Sequence, residues 1–235
     1  MKPFLAAIAA AALTATAAPV WADDLSYNLS VTSDYRYRGI SQTRLKPALQ
    51  GGVDYAHSSG FYIGAWASTI KWISDAGGDA DVEIDTYLGY KTEVAKDVTI
   101  DVGFLRYNYP GNDLTPSANT NEFYGAVSVG PATLKYSHSV SNLFGFADSK
   151  QSGYLDLSAT FDVGGGFTLV PHVGHQKVKN NGAVSYTDYS LTVNKDWQGF
   201  TWGAAFVATN TDAYIGGKGK DLGKNGLVVS VKKVF

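Results

Sequence analysis

The sequence predicts an all-β protein, a single antiparallel up-and-down transmembrane β-barrel of about twelve strands. Three observations carry this prediction. Apolar and polar residues alternate with a period of two in segments of roughly ten residues, longer than the five or six of an ordinary globular strand. The connections between these segments are short and long in succession. The chain ends on Phe235, with apolar residues at alternate positions before it.

The opening segment, 25–37, is the clearest. Leu25, Tyr27, Leu29, Val31, Tyr35 and Tyr37 mark one face, and Ser26, Asn28, Ser30, Thr32, Asp34 and Arg36 mark the other. At about 3.3 Å per residue such a stave crosses a tilted bilayer path. The second segment, 47–56, sets Leu49, Val53 and Tyr55 against Gln50 and Asp54, and a turn at 57–60 leads to the third, 61–70. In the fourth, 80–91, Val82, Ile84, Thr86, Leu88 and Tyr90 oppose Asp81, Glu83, Asp85, Tyr87 and Gly89. The fifth, 98–109, carries Val98, Ile100, Val102 and Phe104 on one face and loses its phase at Arg106, where a bulge or a strand end is expected. The sixth (120–129) and seventh (132–140) meet at Gly130-Pro131.

The eighth segment, 153–163, opposes Leu155, Leu157, Ala159 and Phe161 to Tyr154, Asp156, Ser158 and Thr160. Three glycines at 164–166 return the chain into the ninth, 167–176, where Pro171 removes a ladder donor. The tenth (186–195), eleventh (199–209) and twelfth (227–235) complete the set. Short turns fall near 57–60, 92–97, 130–131, 164–166 and 196–198, and long polar loops near 39–46, 71–79, 110–119, 141–152, 177–185 and 210–226. In an outer-membrane barrel the short turns are periplasmic and the long loops external.

Residues 1–22 read as a secretory signal peptide cleaved after Ala22, with a basic start, an alanine-rich apolar run and a small residue at the junction. Residues 23–235 are then the barrel. Cysteine is absent, which excludes disulfides and thiolate metal sites. The net charge of −2 gives no argument for a nucleic-acid partner.

Alternation does not by itself say which face is inside, since a soluble lipocalin-like barrel alternates too. Strand length favours the membrane version, as does a polar face rich in Asp, Glu, Arg, Ser, Thr and Gly. Aromatics gather at strand ends, as girdles do: Tyr27, Tyr55, Phe61, Tyr90, Phe161, Phe167 and Phe200 near short turns, and Tyr35, Tyr37, Trp72 and Tyr109 near long loops.

Residues 226–235 resemble the C-terminal sorting signal of bacterial outer-membrane proteins through Leu227, Val229, Val231 and Phe235, with Lys233 where an apolar residue is usual. That resemblance implies recognition of Phe235 by the barrel-assembly machinery. Residues 33–43 (SDYRYRGISQT) are similar to the opening signature of the TorF family of proteobacterial outer-membrane porins, and the similarity continues through 47–55, 60–68 and 83–90. It implies an outer-membrane porin and assigns no catalytic or ligand residue.

With the apolar face in lipid, the candidate pore-lining charges are Asp34, Arg36, Arg38, Asp54, Asp81, Glu83, Asp85, Asp101, Glu122, Lys135, Asp156 and Asp188, with Asp162 also on the lumen-facing phase and Lys91 near the periplasmic rim. Twelve tilted strands enclose a backbone diameter of about 24 Å, narrowed by side chains to roughly 10 Å. The excess of carboxylates predicts passage of ions or small hydrophilic solutes with a weak preference for cations. The alternative is a closed structural or surface-interaction barrel, in which these charges pair across the lumen, Arg36 and Arg38 bridging Asp34 and the acids of 81–85. Outer-membrane lipid and lipopolysaccharide are the expected surroundings, and a monomer suffices.

Enzymatic patterns fail. His172 and His175 fall on opposite faces of a strand, a poor metal pair. Ser137 and Ser139 flank His138 but point away from it, which disfavours a hydrolase. The run 216–226 has glycines and lysines without phosphate-loop spacing. No cofactor or metal is expected.

Overall fold

The computed structural model describes residues 23–235, so the expected signal segment 1–22 lies outside the described residues. The chain forms twelve antiparallel strands: β1 (Asp24–Thr32), β2 (Ala48–Ala56), β3 (Phe61–Thr69), β4 (Val82–Ala95), β5 (Val98–Asn108), β6 (Thr120–Val129), β7 (Ala132–Ser139), β8 (Gly153–Ala159 and, past Thr160, Phe161–Gly164), β9 (Phe167–Lys177), β10 (Tyr186–Trp197), β11 (Phe200–Thr209) and β12 (Gly226–Val234). Each pairs with its sequence neighbours, and β12 pairs with β1, so the barrel is closed and up-and-down. The last residue completes the seam: Phe235 and Tyr27 exchange backbone hydrogen bonds, 2.8 Å from Phe235 N and 3.3 Å from Tyr27 N.

The period-two pattern translates directly into two faces. Leu29 is 51% exposed, whereas its neighbour Ser30 is 6% exposed. Leu88, Phe123, Leu134, Leu155, Leu191 and Val229 are likewise exposed on the outer wall. A continuous apolar belt of this kind has no solvent-compatible reading in a monomer, and it matches the hydrocarbon of a bilayer. Closure leaves no sheet edge, so every ladder is satisfied within the belt.

Turn chemistry sets the register. Gln198 and Gly199 both hold positive φ (52° and 77°), forming the two-residue turn that joins Trp197 to its cross-strand partner Phe200. Neither a bulge nor a strand end falls at Arg106, since β5 runs on to Asn108 with its register unbroken there. Instead, register shifts fall between Glu93 and Ala95 and between Asp162 and Gly164, both beside short turns. Pro171 is tolerated mid-strand, opposite Leu191.

The largest departure from the sequence reading is at the opening stave. It ends at Thr32 rather than Tyr37. The Thr32 hydroxyl donates to the Asp34 carbonyl at 3.1 Å, and Ser33 is tied to β12 by its amide donating to the Val229 carbonyl at 2.8 Å. From Ser33 the chain folds into the barrel. Tyr35 and Tyr109, expected in an aromatic girdle, are instead buried in an apolar cluster with Ile70, Ile73 and Leu105, against which Tyr37 and Trp72 pack. A short helix, α1 (Trp72–Asp75), places Ile73 in that cluster. Among the described residues no helix is long and apolar enough to cross a membrane.

Candidate functional site in the barrel lumen

The segment 33–47 fills the loop end of the lumen. Asp34 organises it: its carboxylate accepts from Arg36 Nε at 2.5 Å, Ser41 Oγ at 2.5 Å and Thr43 Oγ1 at 3.2 Å. These bonds fold residues Arg36–Tyr37 back on Ile40–Ser41 as a tight hairpin. Its turn residues, Arg38 and Gly39, have φ of 46° and 80°. Gly39 is needed twice over, because a Cβ there would also meet Thr209 of β11 and Asp188 of β10 at 2.6 and 2.7 Å.

Arg38 crosses the lumen. Its guanidinium binds both oxygens of Glu122 on β6, at 3.1 and 2.7 Å, and Gln176 on β9 at 2.6 Å. It also lies over the rings of Tyr37 and Tyr154, 4.8 and 4.3 Å from their centroids. Bidentate ionic contact combined with cation–π contact is the strongest clamp this residue type makes. Arg36 secures the near side by donating to the carbonyls of Gly39, Leu222 and Lys224 at 3.0, 3.3 and 2.9 Å. Tyr37 and Tyr107 share a 2.6 Å hydrogen bond between hydroxyls. The first loop therefore spans the mouth and is anchored on opposite walls. An ion pair between Arg44 and Asp75 joins it to α1.

The inner wall divides into two halves. At the loop end Glu83, Asp85, Glu122, Asp156 and Asp188 are buried. Tyr35 donates to Glu83 Oε1 at 3.3 Å, while Glu83 Oε2, Asp85 Oδ1 and Asp156 Oδ1 have no partner among the described residues. His172 sits between two carboxylates, 2.6 Å from Asp156 and 3.6 Å from Asp188. At the turn end Asp54, Asp101, Lys91, Lys135 and Lys232 stay partly exposed.

Tyrosines pave that second half. The rings of Tyr87, Tyr62 and Tyr124 lie flat on Gly64, Gly89 and Gly103 of adjacent strands, where any Cβ would collide with them. Their hydroxyls are held: Tyr62 donates to Asp101 at 2.6 Å and bonds Tyr124, and Tyr87 donates to Asp54. Lys135 lies 4.0 Å above the Tyr124 ring. Tyrosines flattened on glycines keep bulky residues out of the passage while retaining a polar surface.

Of the residues expected to line a pore, Asp34, Arg36, Arg38, Glu83, Asp85, Glu122, Asp156 and Asp188 lie inward and buried at the loop end, and Asp54, Asp101 and Lys135 lie inward and partly exposed. Asp81 does not belong with them. It precedes β4 at the outer mouth, exposed, bonded to Lys71 Nζ at 2.6 Å and Ser74 Oγ at 3.0 Å. Those bonds hold its carboxyl below the ordinary Asp value. The bridge expected from Arg36 and Arg38 to the acids of 81–85 also does not form, because Arg38 goes to Glu122 instead.

Lys232, His172 and Gln176 also face the lumen, beyond the residues expected to line it. Each shares the inward phase of its strand, Lys232 with Ser230 and the other two with Gly174. The tyrosine–glycine pairs are legible only once the register is known. Ser137 and Ser139 face inward and are buried, and the Ser139 hydroxyl donates to the Ser141 carbonyl at 2.8 Å. His138 faces outward and bonds Tyr136, so the Ser–His pairing is not made. Among the described residues no group of three or more His, Asp or Glu side chains is placed to hold a metal.

A closed barrel with an apolar outer belt and a polar, water-reaching inner wall defines a porin-like membrane barrel. The chain belongs to the family described as "Bacterial protein of unknown function (Gcw_chp)", whose model matches residues 15–235. No curated protein matches it. Among solved structures it is similar to the KdgM porin, at TM-score 0.58 and 9% identity over 90% of this chain and 98% of that one. It is similar to the same porin in complex with disordered oligogalacturonate, at TM-score 0.57 and 9% identity with the same coverage. The NanC porin aligns at TM-score 0.56 and 10% identity, again over 90% of this chain and 98% of that one. At these identities the likeness is one of fold.

Proposed function

We propose that the protein is an outer-membrane channel for passive diffusion of ions or small hydrophilic solutes, with a weak preference for cations, and that its first loop limits the flow. The observation that carries this reading is the turn-end vestibule: a polar, partly exposed wall that ends beneath Arg38 and Glu122. Fold likeness to porins and the resemblance of residues 33–43 to TorF-family porins support it. Long loops then face outward and short turns the periplasm. One chain closes the barrel, so a monomer is sufficient, and Phe235 at the seam is the residue we assign to recognition by the assembly machinery.

The charge of the inner wall guides the choice of solute. Asp34, Asp54, Glu83, Asp85, Asp101, Glu122, Asp156 and Asp188 outnumber Arg36, Arg38, Lys91, Lys135 and Lys232. Such a wall opposes a polyanion of the oligogalacturonate kind found with the KdgM porin. In planar bilayers under a salt gradient, purified protein is expected to give steady conductance steps with a reversal potential toward potassium, unaffected by added oligogalacturonate. A chloride preference, or block by the polyanion, would refute this selectivity.

The burial of the loop end favours a second reading, a closed barrel that presents its loops to partners. Silence in the bilayer from correctly folded protein would support it.

A further inference from the structure

We infer that the outer wall between β5 and β9 carries a docking site for a phosphorylated glycolipid of the outer leaflet. Register places the relevant side chains. At the loop end, on the lipid-facing phase, Arg106 of β5 stands beside Asn121 of β6. Two strands further on, His138 of β7 and Lys177 of β9 flank Gly153 of β8 at one level. His175 lies one step below Lys177 on the same face. Lys179 follows just above, and its amide donates to the hydroxyl of Ser152 at 3.0 Å, which ties it to the loop containing the exposed Lys150.

The wall part of this arc is cationic, with exposed Asp113 and Asp148 in the loops above it. Arg106, Lys150, Lys177 and Lys179 are exposed, and among the described residues none of them is ion-paired. The loop-end half of this face has no carboxylate on its lipid-facing phase. Immediately below it the wall turns apolar, with Phe123, Leu134, Leu155 and Leu157 exposed. Tyr136 lies back over Gly153, its hydroxyl 3.3 Å from His138, as an interfacial aromatic does.

Four strand spacings of about 4.8 Å separate Arg106 from Lys177, an arc of roughly 19 Å. That is wider than a single phosphate needs and suits a sugar headgroup bearing more than one. Acyl chains would run down the apolar wall while phosphates meet the cations, which form charge-assisted bonds at the interface. A single-phosphate phospholipid would satisfy only part of the arc. The site rests on the orientation proposed above, but its occupancy is independent of conductance.

The test compares full-length protein in detergent with two double variants. Lys177→Ala/Lys179→Ala removes the arc, and Lys46→Ala/Lys224→Ala removes two exposed loop-end lysines from the β12–β2 side. Purified lipopolysaccharide and phosphatidylglycerol are the probes, read by native mass spectrometry at low salt. The expected result is that wild type and the Lys46/Lys224 variant retain lipopolysaccharide equally, while the Lys177/Lys179 variant loses at least tenfold in affinity. Equal loss in both variants, no loss in the Lys177/Lys179 variant, or equal retention of phosphatidylglycerol by wild type would overturn the proposal. Folding is checked by far-UV circular dichroism, and Lys177→Arg/Lys179→Arg is expected to restore binding.

Discussion

At the loop end of the lumen Glu83, Glu122 and Asp156 are at most 2% exposed, whereas at the turn end Asp54, Asp101 and Lys135 remain in contact with water. Both halves come from the same alternating strands, so strand pattern does not produce the difference. The cause is one segment, 33–47, which leaves β1 and occupies the mouth. There the loop holds Glu122 and Gln176 through Arg38 and pairs its own Asp34 with Arg36. Asp156 and Asp188 meet His172 of the wall, and Glu83 Oε2, Asp85 Oδ1 and Asp156 Oδ1 have no partner among the described residues. In the other half the inward charges are satisfied by tyrosine hydroxyls and by solvent. A barrel can thus be a filled mini-domain at one end and a wet vestibule at the other.

The largest expected effect comes from removing the clamp between the halves. Arg38→Ala leaves Glu122 buried without its cation, and breaking a buried pair in this way costs about 3–5 kcal/mol. Unfolding in urea from detergent should show that loss, and single-channel conductance should rise severalfold as the loop detaches. An unchanged conductance would mean the loop does not separate the two halves.

A smaller effect is expected from Gly64→Val, which acts where the vestibule meets the apolar cluster that includes Tyr87. Its side chain would meet the Tyr87 ring and push it off the wall into the passage. Overpacking of this kind costs about 1–3 kcal/mol, and conductance should fall while ion preference stays the same. A rise in conductance would show that the paved wall is not part of the path.

The smallest effect is confined to the outer loops. Burial, the largest influence on Asp75, raises its carboxyl, but the hydrogen bonds from Arg44 and the Gly217 amide and the charges of Arg44 and Lys71 outweigh it, holding the group below its ordinary value of 3.8. A depressed folded value means the contribution of the Arg44–Asp75 pair is complete above the ordinary Asp value and lost as pH falls through the folded one. Cleavage between residues 70 and 81 by an acid protease should therefore set in only below pH 3.8, and Asp75→Asn should abolish that dependence. The barrel itself should stay closed throughout.

Much of the barrel was legible in the sequence. Period-two alternation, turn glycines and the succession of short and long connections locate twelve strands within a few residues, because each is a local signal. The stave 25–37 shows where this stops. Its alternation continues through Asp34, Arg36 and Arg38, yet the chain leaves the sheet at Ser33. The deciding contacts, with Val229, Glu122 and Gln176, are far away in sequence and leave no local mark. Asp81 keeps an inward parity but lies beyond the wall, so phase alone does not separate a lining residue from one at the rim. Lys232 carries the inward parity of Ser230, the signal by which a sequence marks a lining residue.

The absence of cysteine allows the central claim to be tested one side chain at a time. Ser128→Cys and Ser158→Cys place thiols on the partly exposed inner wall of the turn end, and Ser68→Cys and Ser137→Cys place them in the sealed half, where the serines are 2% and 4% exposed. Modification rates are measured with a charged, membrane-impermeant thiol reagent on protein reconstituted in vesicles. The account predicts rapid labelling of the first pair, and slow labelling of the second that becomes rapid when Arg38→Ala is added. Equal rates at all four positions with Arg38 in place would contradict it.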